Sequence, residues 1–222
     1  MIKHGVLILL VVGAWHTLIA QNLQLHYDFT QERRYVTTTL EMFKPDEYGA
    51  TFWFVDMDYD YTHPDRHRSI SLAYFELARY VTIPGLHGIS ATVQYNDGTV
   101  AGAPLGPIWL AGGSYPIGIG NITLNTDLLY RYAFNSSAPD AQLTIAWMED
   151  ILRNKLTLIG FFDLWTADTN GTGKALVLLS EPQLWYHLTS HLQVGGEVEI
   201  SKNFLPSDSF KFLPTLAIKW QF

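Results

Sequence analysis

Asp56, Asp58 and Asp60 recur at every second position of FWFVDMDYDY, residues 52–61. Two carboxylates held close can act as general acid and base, and a ladder of three can attract cations. Further along, WYHLTSHL sets His187 and His191 around Ser190. A histidine beside a serine suggests nucleophilic hydrolysis. A triad is defined by geometry, however, and no G-x-S-x-G elbow occurs. His63 and His67, in HPDRH, have a spacing that could grip a metal at a loop tip. For these histidines the plainer reading is the solvated turn residue. Sequons at Asn121, Asn135 and Asn170 matter only on a eukaryotic secretory route.

Which chemistry is available depends on the elements that hold these residues. In FWFVDMDYDY the set Phe52, Phe54, Asp56, Asp58, Asp60 alternates with Trp53, Val55, Met57, Tyr59, Tyr61. A strand places the two sets on opposite faces, one apolar throughout and the other ending in acids. The same alternation fills the chain from Gln21 onward. LQLHYDF opposes Leu23, Leu25, Tyr27 and Phe29 to Gln24, His26 and Asp28. GISATVQYN opposes Ile89, Ala91, Val93 and Tyr95 to Ser90, Thr92, Gln94 and Asn96. The spacing predicts about twelve strands, joined alternately by tight turns and longer polar loops. Turns are expected at KPDEYG and at Pro116-Ile117-Gly118, and a long Gly/Pro loop over residues 96–107. No helix-period segment of length is present.

Composition points to a strand surface that does not face water. Of the 222 residues, 48% are hydrophobic and only 16% charged, against about 25% charged in an ordinary soluble domain. The absence of cysteine excludes disulfides and thiolate zinc. A formal net charge of -7 with no basic stripe argues against nucleic acid. Residues 1–20 read as a signal peptide: Lys3 and His4, an apolar run from Gly5 to Ala14, and Ala20 at the cleavage position. Nothing later could cross a bilayer as a helix. Export followed by helix-free insertion leaves one architecture, an all-β, closed antiparallel transmembrane β-barrel over residues 21–222. The final strand PTLAIKWQF fits, since it stops on an aromatic residue suited to an interfacial girdle.

A strand ending in Trp-Gln-Phe resembles the C-terminal signal that outer-membrane barrels present to their assembly machinery. LLYRYAF, GFFDLW, EPQLWYHL, VGGEVEISKNF and PTLAIKWQF together resemble a family of uncharacterised Tsx-like outer-membrane proteins. These are similar to the nucleoside-specific channel Tsx, a twelve-stranded barrel. The resemblance implies a channel in a Gram-negative outer membrane, with membrane lipid, the assembly machinery (through Phe222) and a small polar solute, such as a nucleoside, as partners. No nucleoside-contact residue transfers by motif.

With apolar sets facing lipid, the lumen candidates are Phe52, Phe54, Asp56, Asp58, Asp60, Glu76, Asp127, Arg131, Asp163, Glu181, Gln183, Glu197, Glu199 and Lys219. The charges would set selectivity, and Phe52 and Phe54 would stack on a planar solute. Alternatively, these charges pair across strands and plug the barrel, leaving an anchor or interaction surface. A second alternative is a phospholipase-like hydrolase using His187 with Ser190. A third reads Asp58 and Asp60 as a protease-like acid pair. The channel reading involves no catalytic residue, no metal and no cofactor.

Overall fold

The computed structural model describes residues 20–31, 33–60, 70–134, 136–169, 173–204 and 208–222. Three of the readings above lie outside these residues: the signal peptide over 1–19, the His63/His67 pair, and the sequons at Asn135 and Asn170. Twelve strands follow in order. They are β1 Ala20–Asp28, β2 Val36–Asp46, β3 Gly49–Tyr59, β4 Leu72–Thr82, β5 Ser90–Val100, β6 Ile108–Ile119, β7 Ile122–Ala133, β8 Asp140–Ile151, β9 Leu156–Asp168, β10, β11 Leu192–Lys202 and β12 Lys211–Gln221. β10 has two segments, Lys174–Ser180 and Gln183–His187. Both keep the same register against β9 and β11, so they form one strand interrupted at Glu181–Pro182. Pro182 cannot donate to the ladder, but its carbonyl accepts from the Val198 amide at 3.1 Å.

Each strand pairs antiparallel with its sequence neighbour, and β1 pairs with β12 over Asn22–Asp28 to close the sheet. The fold is a closed twelve-stranded antiparallel barrel, and no helix occurs among the described residues. Closure removes every free edge, which a strand structure surrounded by hydrocarbon requires.

The two ends of the barrel differ. Connections at 47–48, 120–121, 152–155 and 188–191 are short and, with the longer 83–89, share an end with both termini of the barrel. Those at 29–35, 60–71, 134–139 and 203–210 are longer and occupy the other end. In outer-membrane barrels the short turns are periplasmic and the long loops extracellular. The outward surface is apolar, as Leu25, Val93, Leu128, Leu176, Leu216 and Ile218 illustrate, with Leu128 68% exposed. Exposed aromatics flank this band. Tyr27, Phe29, Trp109, Tyr132 and Phe212 lie toward the long loops, and Tyr48, Tyr115, Tyr186 and Trp220 toward the short turns. Two such girdles mark the interfaces of a membrane-spanning barrel.

Local composition misleads in two places. The turn expected at Pro116–Gly118 is strand: β6 runs to Ile119, and the chain turns at Gly120 and Asn121. The β5–β6 ladder ends at Ser114, so Pro116 removes no bond from that side. The long loop expected over 96–107 is also mostly ordered. β5 extends to Val100, residues 101–102 turn with positive φ, and Ala103–Pro104 fold back on Thr99 and Val100. Gly98 sits within β5 because a Cβ there would strike the Ala73 carbonyl. It is placed by a close backbone approach, not by a turn. Similarly, His187 ends β10, so the turn within WYHLTSHL is confined to 188–191.

Candidate solute path

The register assigns each side chain to a face. Asp58 pairs with Thr37 and Asp56 with Thr39, while on the other side Asp56 meets Tyr74 and Phe54 meets Glu76. Thr39 pairs with Gln24, which is 1% exposed, and Gln24 with Lys219. Continuing round the barrel, this face carries Phe52, Phe54, Asp56, Asp58, Glu76, Asp127, Arg131, Asp163, Glu181, Gln183, Glu197, Glu199 and Lys219. Asp60 follows β3 at the long-loop end and is buried. The inner face therefore gathers residues from all parts of the sequence, while the outer face keeps the apolar alternates.

The inner carboxylates fall into two groups. Near the long loops they meet cations. Arg33, from the β1–β2 connection, bonds Glu199 and lies 3.7 Å from Asp28. Lys174 lies 3.0 Å from Asp140 and 2.6 Å from Asp168. Around the middle of the barrel the carboxylates are instead held by neutral groups. The Thr39 hydroxyl donates to Asp56, and the Thr37 hydroxyl to Asp58 at 2.6 Å. Glu76 accepts from the Tyr74 hydroxyl at 2.6 Å and the Asn96 amide at 3.0 Å. Asp127 accepts from Tyr80 at 2.8 Å and Gln94 at 3.1 Å. Thr144 donates to Asp163, and Gln183 to Glu197 at 3.0 Å. Such bonds orient a carboxylate and leave its charge in place. These acids also repel one another: Asp56 interacts with Glu197, Asp58 and Glu41, Asp163 with Glu76 and Asp127, and Glu181 with Glu197. Asp56, Asp58, Glu76, Asp163, Glu181 and Glu197 all keep partial exposure on the inner face.

Among the described residues Arg79, Arg131 and Lys219 form no ion pair with this belt, although Arg131 lies within electrostatic reach of Glu76 and Asp163, and Lys219 of Glu197. Arg79 is on the outer face, where it bonds Asp46 and Thr51. Arg131 approaches Asp140 at 3.9 Å and lies over Trp165, its guanidinium carbon 5.6 Å from the ring centroid. Lys219 stands 4.0 Å above the ring of Trp185, which is fully buried. Trp185 packs edge-on to His26, and its ring lies over Gly195, where a Cβ would meet both the ring and the Leu184 carbonyl. His26, Lys219 and Trp185 thus fill one wall. Elsewhere on the inner face Phe52, Phe54, Tyr74 and Phe161 are more exposed. Phe54 is 5.9 Å from Phe52 and 6.0 Å from Tyr74, centroid to centroid.

Several of these residues carry no signal of their own in the sequence: Arg33, Tyr74, Asp140 and Trp185. Alternation in VTTTLE would have found Glu41. Arg33 sits in a polar turn, where no pattern tells which way it reaches.

The hydrolase reading finds no support in the geometry. His187 Nε2 lies 2.8 Å from the Thr157 hydroxyl, which itself donates to Asp150. The hydroxyl hydrogen is thereby used, so the imidazole must be the donor and cannot act as base toward Thr157. Ser190 lies in the exposed 188–191 turn with no bond to His187. Asp58 accepts from the Thr37 hydroxyl at 2.6 Å. Among the described residues no grouping of His, Asp and Glu is suited to a metal ion.

A family model described as "Domain of unknown function (DUF5020)" matches residues 20–222. The chain belongs to the DUF5020 family. Among curated proteins no sequence matches. Among solved structures, the DUF5020 chain is similar to the NanC porin, with a TM-score of 0.60 at 7% identity, covering 91% of this chain and 100% of that one. It is also similar to the KdgM porin, with a TM-score of 0.52 at 7% identity, covering 92% and 99%. A second KdgM structure, in complex with disordered oligogalacturonate, gives the same values. At such identities the likeness establishes the barrel fold and no more. The Tsx-like resemblance of the sequence blocks is not the family that this match shows.

Proposed function

We propose that this DUF5020 protein is a diffusion channel of the Gram-negative outer membrane, passing small polar solutes and favouring neutral and cationic ones over anions. The observation that carries this reading is the mid-barrel belt, whose carboxylates are held by hydroxyls and amides and not by cations. A structural plug would bring opposite charges together, because an unpaired charge away from water is costly. A belt held by neutral donors needs solvent beside it to stay charged, and a water-filled lumen would supply that. The KdgM structure noted above holds oligogalacturonate, a polyanion. The lining here has the opposite complementarity.

Nucleosides are one candidate solute class. They are neutral and planar, and Phe52, Phe54 and Tyr74 offer stacking faces beside Glu76 and Asp56. The Tsx-like sequence blocks suggest the same class. Residues 1–20 are proposed as a leader removed on export, the outer surface as the contact with lipid, and Phe222 as the contact with the assembly machinery. No catalytic step is proposed. The test is a planar-bilayer recording of the purified protein, followed by nucleoside competition. Discrete conductance steps reduced by nucleosides are expected. A barrel that inserts without conducting would be an anchor, and a channel indifferent to nucleosides would lose that solute class.

A further inference from the structure

A cavity of about 280 Å³ opens inside the long-loop end of the barrel. Its walls are formed by the apolar Leu105, Ile108, Ala133, Phe134 and Ala167 and by Ser136, Asp140 and Asp168, the two acids being paired with Lys174. Arg131 also lines it, and Arg131 is unusual. The residue is only 9% exposed, yet among the described residues its guanidinium has no hydrogen bond. Asp140 stands 3.9 Å away, too far for one, and is itself served by Thr166 at 2.7 Å, Ser136 at 3.0 Å and Lys174 at 3.0 Å. Trp165 supports one face of the guanidinium. A guanidinium fork that faces the cavity and has no hydrogen-bonded acceptor among the described residues matches a bidentate carboxylate.

A simple anion would be repelled by the acids beneath. Arg131 is within electrostatic reach of Glu76 and Asp163, two members of the belt. A solute accepted by both regions carries a carboxylate and a positive charge a few ångströms apart. We propose that the mouth cavity is a binding subsite for small zwitterions of the α-amino-acid type. Their carboxylate lies on Arg131, their ammonium points toward Glu76 and Asp163, and an apolar side chain lies against Ile108, Ala133 and Phe134. The volume is just below the roughly 300 Å³ at which drug-sized sites begin, so the subsite selects small molecules. This rests on the channel reading for its physiological meaning, but binding itself can be measured without conduction.

The test uses the purified barrel in detergent and isothermal titration calorimetry with three probes: leucine, leucine methyl ester and 4-methylpentanoate. Leucine has both charges, the ester lacks the carboxylate, and 4-methylpentanoate lacks the ammonium. Leucine is expected to bind at least tenfold more tightly than either. Arg131→Gln should weaken leucine binding at least tenfold, and Arg131→Lys, which keeps charge but not the fork, should recover only part of it. Ala167→Trp, which fills the cavity and leaves Arg131 in place, should abolish binding. Each variant is scored only if its unboiled gel mobility matches wild type. Equal binding of all three probes, or leucine binding unaffected by Arg131→Gln and Ala167→Trp, would overturn the proposal. A separate bilayer trace shows whether the protein conducts. Conduction without leucine binding defeats the subsite alone, and binding without conduction defeats the channel alone.

Discussion

Neutralising part of the carboxylate belt should collapse the charge selectivity of the pore. The perturbation is Asp56→Asn/Glu76→Gln/Asp163→Asn. Each amide oxygen can still accept from Thr39, Tyr74 or Thr144, the groups that now hold the acids, so the shape of the lumen is preserved. An ion in the water-filled lumen about 7 Å from one carboxylate feels about 0.6 kcal/mol at a dielectric constant near 80. A screening length of about 10 Å at 0.1 M salt halves this to about 0.3 kcal/mol. That energy raises a cation and lowers an anion by about 1.6-fold each, so one carboxylate changes the cation-to-anion ratio about 2.7-fold. If an ion passes close to one acid and about 14 Å from the other two, the total is about fourfold. If it passes equally close to all three, the total approaches twentyfold. The assay is the reversal potential in a tenfold salt gradient, whose ceiling for an ideally selective pore is about 59 mV. The triple variant should move it on the order of 20–40 mV toward zero. Asp97→Asn is the control, because Asp97 lies on the outer face bonded to Tyr95. It should leave the potential unchanged. A triple variant that assembles and conducts normally with an unaltered potential would refute the reasoning, since the acids would then lie off the ion path.

The register can be tested directly because the chain has no cysteine of its own. Asp58→Cys should react with a water-soluble thiol reagent in assembled protein, and Met57→Cys only with a membrane-partitioned one; the reverse pattern would overturn the face assignment. Gly195→Val should destabilise the barrel by about 1–3 kcal/mol, because its Cβ would overlap the Leu184 carbonyl and the Trp185 ring. The readout is a lower temperature for the gel-mobility change of the unboiled protein, and an unchanged temperature would show that the wall relaxes freely. Deleting Phe222, whose amide donates to the Gln21 carbonyl at 3.0 Å, should reduce the yield of assembled barrel in cells; equal yields would remove it as an assembly contact. Mature protein recovered from the outer membrane should begin at Gln21 by mass spectrometry, and an intact Met1 would refute the leader.

Much of this protein is legible locally. Side-chain direction in a strand has a period of two residues, so alternation alone separates Trp53, Val55 and Met57 from Phe54, Asp56 and Asp58 without knowledge of any neighbour. Twelve such segments with low charge leave little but a closed barrel, because every backbone group must be paired within the membrane. Gly/Pro content was a poorer guide. Gly98 and Pro116 lie within strands because the local ladder tolerates them, and ladder bonds belong to the pairing of two segments. What only the tertiary structure decided is who meets whom. In sequence Arg79 and Arg131 look alike, each a cation within a strand. Register sends Arg79 to the outer face with Asp46 and leaves Arg131 lining the mouth cavity, 3.9 Å from Asp140. It also brings Lys219 onto Trp185, folds Arg33 onto Glu199, and gathers Asp56, Glu76, Asp163 and Glu197 from four strands into one belt. These contacts depend on the summed offsets of many strand pairs and on closure between β1 and β12. No window of sequence contains that sum.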